Sequence, residues 1–379
     1  APGAAVGVDA WLTLLQAAQQ VVTRPWLDAL KQCGSVEALL RSARLLHAAG
    51  VSADAIARLE APDRALIERY RTWLAGPHRS LVTFGSSDYP PRLAQIPDAP
   101  LALWVEGSDR ALLSSPQLAI VGSRSPTTSG RETAEQFARY LSERGLTITS
   151  GMATGIDGAS HRGALPKLGS TVAVLGCGID VVFPRAHAQL AKDIAARGLL
   201  VSEYAPGVQP QKYFFPARNR IIAGLSLGTL VVEATRRSGS LITARHATDY
   251  GREVFAIPGS IHNPLARGCH YLIRQGAKLV EEAGDVLVEL APQLLAEGIE
   301  LKPVASAPPE AESVALVDEP SYQNLLKTMG FSPIAIAELC TRAELTTAEV
   351  SSMLLVLELE GLVEALPGGW YSRLGKKSK

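Results

Sequence analysis

Three kinds of chemistry follow one another between Lys212 and His246. The first is a group of cations interleaved with aromatic rings, which comprises Lys212, Tyr213, Phe214, Phe215, Arg218 and Arg220. Aromatic rings stack on unpaired bases and cations contact the phosphates between them, so this composition is typical of a site for single-stranded nucleic acid. In the alternative interpretation, the Phe side chains belong to the core and the Arg side chains form a solvated rim.

An apolar segment and a turn of small residues come next. Residues 229–232 suit a strand that is covered on both faces, as in a parallel sheet. The turn at 236–240 contains Arg-Arg-Ser-Gly-Ser and opens a helix near Leu241. Free N–H groups at a helix N-terminus attract anions, and flanking arginines add positive charge. We therefore expect phosphate contacts from Ser238, Gly239 and Ser240.

Another candidate turn, Gly122-Ser123-Arg124, follows the strand predicted at 118–121. It has neither the Gly-x-Gly-x-x-Gly pattern nor the Gly-x-x-x-x-Gly-Lys-Ser/Thr pattern, so neither a dinucleotide site nor a nucleoside triphosphate site is indicated. An arginine on an exposed strand-end turn still suits a phosphate group. A plain turn without function is the alternative.

Two further turns are expected at the same edge of the sheet. In residues 150–161, Gly151 follows a strand, and Asp157 and His161 are spaced to share one helix face, as an acid–base pair would. A contact between them that only orients the helix is the more common situation. Arg185, after Phe-Pro, is a further candidate cation.

Composition limits the possible functions. The 379 residues include 37 Lys+Arg and 37 Asp+Glu, so no overall positive field attracts nucleic acid and any polyanion site must be a local patch. The hydrophobic fraction of 47% indicates a globular chain of two or three domains. The four cysteines lie far apart, which favours free thiols in a reducing compartment. No apolar span and no leader pattern is evident, so we expect a cytoplasmic protein without a membrane span.

Strand and helix patterns alternate between residues 114 and 295, which predicts a Rossmann-like, doubly wound parallel α/β sheet. The predicted strands are 118–121, 146–149, 171–175, 199–202, 229–232, 253–257 and 278–280. The predicted helices are 129–143, 157–165, 187–197, 217–225, 240–250 and 264–275. Ligands of such sheets bind beyond the carboxyl ends of the strands, where the strand order reverses.

The flanking segments differ in character from the sheet domain. Residues 1–75 have helical periodicity, residues 76–113 form a proline-rich extended connector, and residues 296–318 form a linker. Residues 319–379 predict three helices and a hairpin, as in a winged helix, with helices near 321–329, 334–340 and 346–360. The last helix contains no Lys or Arg, and duplex readers need such donors, so we do not expect it to read duplex DNA.

Several motifs occur in an order that resembles the DNA-processing protein A family (DprA, also called Smf). They are Ile120–Arg124, Ser150–Asp157, Phe215–Arg220, Val232–Ala234, Ser238–Ala244 and Ile257–Gly259. The resemblance implies a helical domain of the sterile-alpha-motif type before the sheet domain and a winged helix after it. It also implies that the Gly-Ser-Arg turn and the Lys212…Phe215 pair hold single-stranded DNA.

By this resemblance the protein protects incoming DNA during natural transformation and helps to load the RecA recombinase. The family forms homodimers through the sheet domain and uses neither catalysis nor a metal or other cofactor. The combined set of expected DNA contacts is Gly122, Ser123, Arg124, Gly151, Arg185, Lys212, Phe215, Arg218, Asn219, Arg220, Ser238, Gly239 and Ser240.

Parts of the sequence are compatible with two other functions. Gly228-Thr229 followed by Glu233 faintly resembles the lysine-decarboxylase-like nucleotide phosphoribohydrolases, although the Gly-Gly-x-Gly-Thr loop of those enzymes is incomplete here. The second alternative is a scaffold that acts only through its two end modules, and it predicts no DNA affinity in a fragment of residues 80–295.

Overall fold

The computed structural model describes residues 2–18, 23–301 and 320–374, and the side chains from residue 7 onward. These residues divide into two compact units. The larger comprises the described residues up to 125 together with 134–301, and the smaller comprises 126–133 together with 320–374. None of the described helices has the length and apolarity needed to cross a membrane. The four cysteines are free thiols, and two of them, Cys177 and Cys269, are buried.

Helices fill the first part of the larger unit, as the periodicity predicted. They are α1 (Pro2–Ala18), α2 (Arg24–Cys33), α3 (Val36–Leu40), α4 (Ala43–Ala48), α5 (Ala53–Glu60) and α6 (Arg64–Leu74). The helices α3, α5 and α6 each follow a residue whose side chain accepts a hydrogen bond from the backbone N–H three positions on, namely Ser35, Ser52 and Asp63. These caps explain why the helical stretch is divided into short pieces.

One nine-stranded sheet forms the centre of the larger unit. Its strands are β1 (Arg79–Thr83), β2 (Ala102–Gly107), β3 (Gln117–Val121), β4 (Thr147–Ser150), β5 (Thr171–Val174), β6 (Leu199–Ser202), β7 (Gly228–Val231), β8 (Glu253–Ala256) and β9 (Lys278–Leu279). The order is β1-β2-β6-β5-β4-β3-β7-β8-β9. All neighbours from β6 to β9 are parallel, which confirms the predicted Rossmann-like sheet.

The segment 76–113 is more than a connector laid against the sheet, and that part of the prediction is wrong. Its strands β1 and β2 pair antiparallel, and β2 pairs antiparallel with β6, so the segment extends the sheet itself. Trp104 in β2 is fully buried. The prolines that argued against a helix lie between the two strands, where Pro91 nevertheless begins the one-turn helix α7 (Pro91–Ala94).

Helices cover both faces of the sheet. They are α8 (Thr128–Glu143), α9 (Ile156–Ala164), α10 (Ala188–Arg197), α11 (Phe214–Leu225), α12 (Ser240–Asp249), α13 (Arg267–Arg274) and α14 (Ala283–Ala296). The helix α14 was not predicted, and most bounds of the other six agree with the predicted ones within one or two residues. The exceptions are α11, which begins three residues earlier than predicted, and α13, which begins at Arg267 because residues 264–266 form a 3-10 turn.

The second unit contains the winged-helix elements. They are α15 (Pro320–Met329), β10 (Ile334–Ala335), α16 (Ile336–Ala343), α17 (Thr347–Leu359), β11 (Val363–Leu366) and β12 (Trp370–Arg373), and the strand order is β10-β12-β11. Thr346 and Glu349 form a capping box at the start of α17. The helix predicted at 334–340 begins two residues later, after the short strand β10. Most of the predicted linker lies outside the described residues.

Candidate nucleic-acid interface

The order of the strands reverses between β3 and β7, and the predicted turns meet at this point. β3 and β7 are parallel neighbours, but the strands that follow them in the chain, β4 and β8, lie on opposite sides. A crevice therefore opens beyond the carboxyl ends of the two strands. It contains a cavity of about 430 Å³. The predicted residues that line it are Gly122, Ser123, Arg124, Phe215, Arg218, Asn219, Ser238, Gly239 and Ser240.

The turn after β3 is fixed by close packing. A Cβ atom on Gly122 would lie 2.6 Å from Cγ1 of Ile156 and 2.9 Å from the backbone oxygen of Glu233, so only glycine fits there. The backbone N–H of Ser123 donates a hydrogen bond to the same Glu233 oxygen at 2.6 Å. The turn is thus attached to the end of β7, and it carries Arg124 out into solvent.

Phe215 forms an aromatic surface beside that arginine. The guanidinium carbon of Arg124 lies 5.9 Å from the centre of the Phe215 ring. On the other side, the ring of Phe183 approaches to 5.3 Å between centroids. The ring of Phe215 rests on Gly176, where a Cβ atom would come within 2.7 Å of its Cδ1. A half-buried ring beside an exposed cation is the arrangement that stacks a base and contacts its phosphate.

Arg218 is buried beneath this surface, with 4% of its area exposed. Its Nη1 donates to the backbone oxygens of Gly151, at 2.6 Å, and Val174. Burial lowers the pKa of Arg218, and the carboxylate of Asp157 opposes this effect. Gly151 leaves room for the guanidinium, because a Cβ there would lie 2.6 Å from Nη2. Arg218 thus attaches α11 to the carboxyl ends of β4 and β5.

Arg220 is also buried, on the opposite side of α11. Its Nη2 donates to Oε1 of Glu203 at 2.6 Å, and its Nη1 to Oε2 at 3.0 Å. Its Nε lies 3.1 Å from a carboxylate oxygen of Asp98. Burial lowers the pKa of Arg220, but the two carboxylates outweigh it and the net direction is upward. The charge of Arg220 is therefore neutralised inside the protein.

The turn before α12 forms the far wall of the crevice. Asn219 connects it to α11, since its Nδ2 donates to the Gly239 oxygen at 3.4 Å. The hydroxyl oxygens of Ser238 and Ser240 lie 2.7 Å apart, and the backbone N–H of Ser240 faces the Ser238 hydroxyl at 3.4 Å. No atom lies within 4 Å of a Cβ on Gly239, so this turn is open to a ligand.

Besides the buried Arg220, two exposed predicted cations lie outside the crevice lining. Lys212 is exposed just before α11, beside Tyr213, which is 68% exposed. Arg185 is exposed at the start of a 3-10 turn. Phe183, whose ring packs at a tilt against that of Phe215, was not predicted as a site residue. The sequence does contain a signal for it, because Phe183 directly precedes Pro184 and the candidate cation Arg185, and an aromatic ring beside a cation is typical of such a site.

Asp157 and His161 do not form the predicted pair, either as acid and base or as a helix-orienting contact. The carboxylate of Asp157 accepts hydrogen bonds from the backbone N–H groups of Gly151 and Ala153, and burial raises its pKa. His161 pairs through Nδ1 with the hydroxyl of Thr171 at 2.7 Å. Burial lowers the pKa of His161 to about 3. In the described part of the chain, no three His, Cys, Asp or Glu side chains come together to hold a metal.

Comparison with known protein families shows the family of this chain. Residues 80–291 match the family model of the DNA recombination-mediator protein A, and residues 304–369 match the DprA winged helix domain. The chain belongs to the DprA/Smf family. Protein Smf from Escherichia coli (strain K12) is 45% identical over 312 residues, which cover 81% of either chain. DNA processing protein DprA from Streptococcus pneumoniae is 51% identical over 201 residues, which cover 53% of this chain and 71% of the relative.

Solved DprA structures have the same fold. The structure of DprA from Streptococcus pneumoniae superposes with a TM-score of 0.66 at 40% identity, covering 73% of this chain and 95% of that one. DNA processing protein A from Helicobacter pylori superposes with a TM-score of 0.52 at 30% identity, covering 57% of this chain and 98% of that one. The second protein is described by its single-stranded DNA binding mode.

Proposed function

We propose that this DprA-family protein binds single-stranded DNA in the crevice between β3 and β7. The observation that supports this most is the ring of Phe215, half-exposed over Gly176 and flanked by Arg124. A base can stack on the ring while its phosphate meets the guanidinium. The relative from Helicobacter pylori, which is described as a single-strand binder, supports the same function.

The expected contacts divide into two groups by burial. Arg124, Lys212 and Phe215 reach solvent, and with the turns at 122–123 and 238–240 and the amide of Asn219 they form the contact surface. Gly151, Arg218 and Arg220 are buried, so we assign them to holding that surface in place. Arg185 is an exposed cation outside the crevice, and we assign it a peripheral phosphate contact.

Titration of a fluorescent oligothymidine against a duplex of equal length tests this function. The single strand should bind much more tightly, because a stacking surface needs unpaired bases. Arg124→Ala should weaken the binding without changing the melting temperature. Arg41→Ala removes another exposed arginine, one that does not line the crevice, and it should change neither. Equal affinity for duplex, or wild-type affinity in the Arg124 variant, would contradict the assignment.

The structure gives little support to the alternative of a nucleotide phosphoribohydrolase. Gly228 and Thr229 are buried inside β7, and a Cβ on Gly228 would lie 2.8 Å from the Phe255 ring. They therefore do not form an open catalytic loop. We infer that the protein is not an enzyme. Incubation with nucleoside monophosphates tests this inference, since release of free base would contradict it.

We further propose that the protein acts in the cytoplasm on DNA strands taken up in natural transformation, and that RecA is its partner. The support is membership of the family together with the single-strand crevice. The test is RecA filament formation on oligothymidine covered by single-strand-binding protein, measured with and without this protein. Faster filament formation is expected, and Arg124→Ala should remove the acceleration. An unchanged rate with the wild-type protein would contradict RecA loading.

We also propose a homodimer formed through the sheet domain. The strand β9 forms the outer edge of the sheet and carries Leu279, which is 50% exposed; the loop after the neighbouring strand β8 carries Ile261, which is 71% exposed. Apolar side chains on an exposed sheet edge favour pairing with a second copy. Leu279→Glu should give monomers in analytical ultracentrifugation. Leu168→Glu, at an exposed position elsewhere, should leave the oligomeric state unchanged.

A further inference from the structure

A second cavity, of about 350 Å³, lies between the helical part of the larger unit and the antiparallel side of the sheet. Its volume is within the range of pockets that take small ligands or single ring systems. The aromatic residues that line it are Tyr70 on α6, Trp104 on β2, and Tyr213 and Phe214 at the start of α11. The loop 205–208 after β6 completes the lining.

Tyr70 is a buried residue of the cavity lining. Tyr70 is 5% exposed, and its ring is held edge-on against Trp104 at 5.1 Å between centroids. Within the described residues, its hydroxyl forms no hydrogen bond. A tyrosine hydroxyl can both donate and accept a hydrogen bond, so the cavity suits a ligand that carries a hydrogen-bonding group beside an aromatic ring.

The charged side chains that line this cavity leave it with a positive charge that no described ion pair neutralises. Arg69 lines it, is exposed, and forms no ion pair within the described residues. It reaches the loop of the sheet domain, because a Cβ on Gly207 would lie 3.3 Å from its Nη2. Glu203 also lines the cavity, but both of its carboxylate oxygens accept hydrogen bonds from Arg220. The cavity therefore favours a planar ring attached to an anionic group.

This second cavity is adjacent to the first along the chain. Tyr213 and Phe214 line the second cavity, whereas Phe215 and Pro216 line the first. The exposed Lys212 precedes all four. A polyanion that crosses the N-terminus of α11 thus meets a cation and an exposed ring between two cavities.

We propose that the second cavity receives an unstacked base of the same DNA strand whose other bases stack in the crevice between β3 and β7. Arg69 meets the adjoining phosphate and the hydroxyl of Tyr70 meets a polar edge of the base. This inference rests on the proposed single-strand binding and extends the strand path from the sheet domain to α6. The helical part then contributes directly to the binding of DNA.

The test combines photocrosslinking with a length series, using the full chain. An oligothymidine that contains 4-thiothymidine should crosslink to the peptide holding Tyr70 as well as to the peptide holding Phe215. Arg69→Ala should lower the affinity for long oligothymidines by up to about fivefold, and should not change that for the shortest one that binds. Tyr70→Phe should reduce crosslinking to α6. Arg64→Ala, which removes an exposed arginine from the same helix outside the cavity, should match the wild type.

Different failures have different meanings. If the wild type binds oligothymidine but crosslinks only at the first cavity, and Arg69→Ala follows the wild-type length dependence, the second base site is wrong and the proposed function stands. If 4-thiothymidine monophosphate labels α6 and the oligonucleotide does not, the cavity is a separate nucleotide site and the proposal is overturned. If no oligothymidine binds at all, the proposed function itself fails.

Discussion

At the scale of single residues, neighbouring aromatic side chains have different roles. Phe214 is buried to 6% exposure and packs against Tyr204 at 4.1 Å between ring centroids. Phe215 is half-exposed, in the crevice. The sequence placed both in one group of aromatics, and nothing local could divide them, because the division depends on where α11 begins relative to the sheet.

The two phenylalanines give a matched pair of variants. Phe215→Ala should lower the affinity for single strands by about 1–3 kcal/mol, because a stacked base loses its support. Its melting temperature should change little. Phe214→Ala should instead lower the free energy of unfolding by about 3–5 kcal/mol. Fluorescence titration and thermal melting of both variants check this. A strongly destabilised Phe215→Ala protein would place that ring in the core.

Lys212 should act through its charge alone. It is exposed and forms no ion pair within the described residues, so its replacement by Ala removes one phosphate contact. On single strands, each contact contributes roughly 0.7 to the slope of log affinity against log salt concentration. Titrations of Lys212→Ala over a range of salt concentrations should show a flatter slope by about this amount. In Phe215→Ala the slope should stay near the wild-type value.

His161 predicts an acid-sensitive fold. Its pKa falls from 6.5 to about 3 in the folded state, so the unfolded chain binds a proton more readily between these values. Stability should therefore decrease as the pH falls from about 6.5 towards 3. Asp157, whose pKa burial raises, acts in the opposite direction, so the comparison must be between variants. In urea unfolding, His161→Asn should show a weaker acid dependence than the wild type, whereas His47→Asn, at an exposed position, should match it.

At the scale of elements, the sequence predicted the parallel strands well. Local apolar runs mark buried strands, and β6 at 199–202 was predicted residue for residue. The pairing of β2 with β6 could not be predicted, because Glu106 meets Leu200 across a long stretch of chain and no local pattern records such a contact. The burial of Arg218 and Arg220 could not be predicted for the same reason, because their partners Gly151 and Glu203 are distant in the sequence.

The Arg220 ion pair connects α11 to the end of β6 and to the loop that contains Asp98. Only about a tenth of the Arg220 and Glu203 side chains is exposed, so Arg220→Met leaves a carboxylate buried without its partner. We expect a loss of about 3–5 kcal/mol in the free energy of unfolding. Arg71→Met breaks the exposed pair with Asp9 and should destabilise the protein far less, because water screens exposed charges.

Chemical denaturation of both variants gives these values. Replacing both partners, as Arg220→Met with Glu203→Leu, should recover part of the loss, because no unpaired charge then remains buried. A loss in Arg220→Met no larger than that in Arg71→Met would show that the buried pair contributes little to the fold.

At the scale of the whole molecule, the winged helix has a hydrophobic core of its own. This core is formed by Leu325, Leu326, Met329, Ile334, Leu339, Val350, Leu354, Leu357 and Val363. The exposed positions of α17 include Glu349, Glu358, Leu355 and Leu359, and none of its residues is basic. This composition supports the prediction that the module does not read duplex DNA.

Removal of the winged helix should therefore leave single-strand binding intact. A chain that ends after residue 301 retains every residue assigned to the two cavities. Its affinity for oligothymidine and its salt slope should match those of the full chain. Fluorescence titration of both chains checks this. Loss of all DNA affinity in the shortened chain would favour the alternative of a scaffold that acts through its end modules.

The hydrogen bonds of Arg218 have a consequence for the thermodynamics and kinetics of binding. They fix the start of α11 against the ends of two strands, so the spacing between Arg124 and Phe215 exists before any DNA arrives. A preorganised surface loses little conformational entropy on association, and most of the ordering falls on the flexible strand. Rearrangement of the protein then does not limit the rate at which DNA associates with it. Differences in affinity among DNA strands should consequently appear as differences in their residence time.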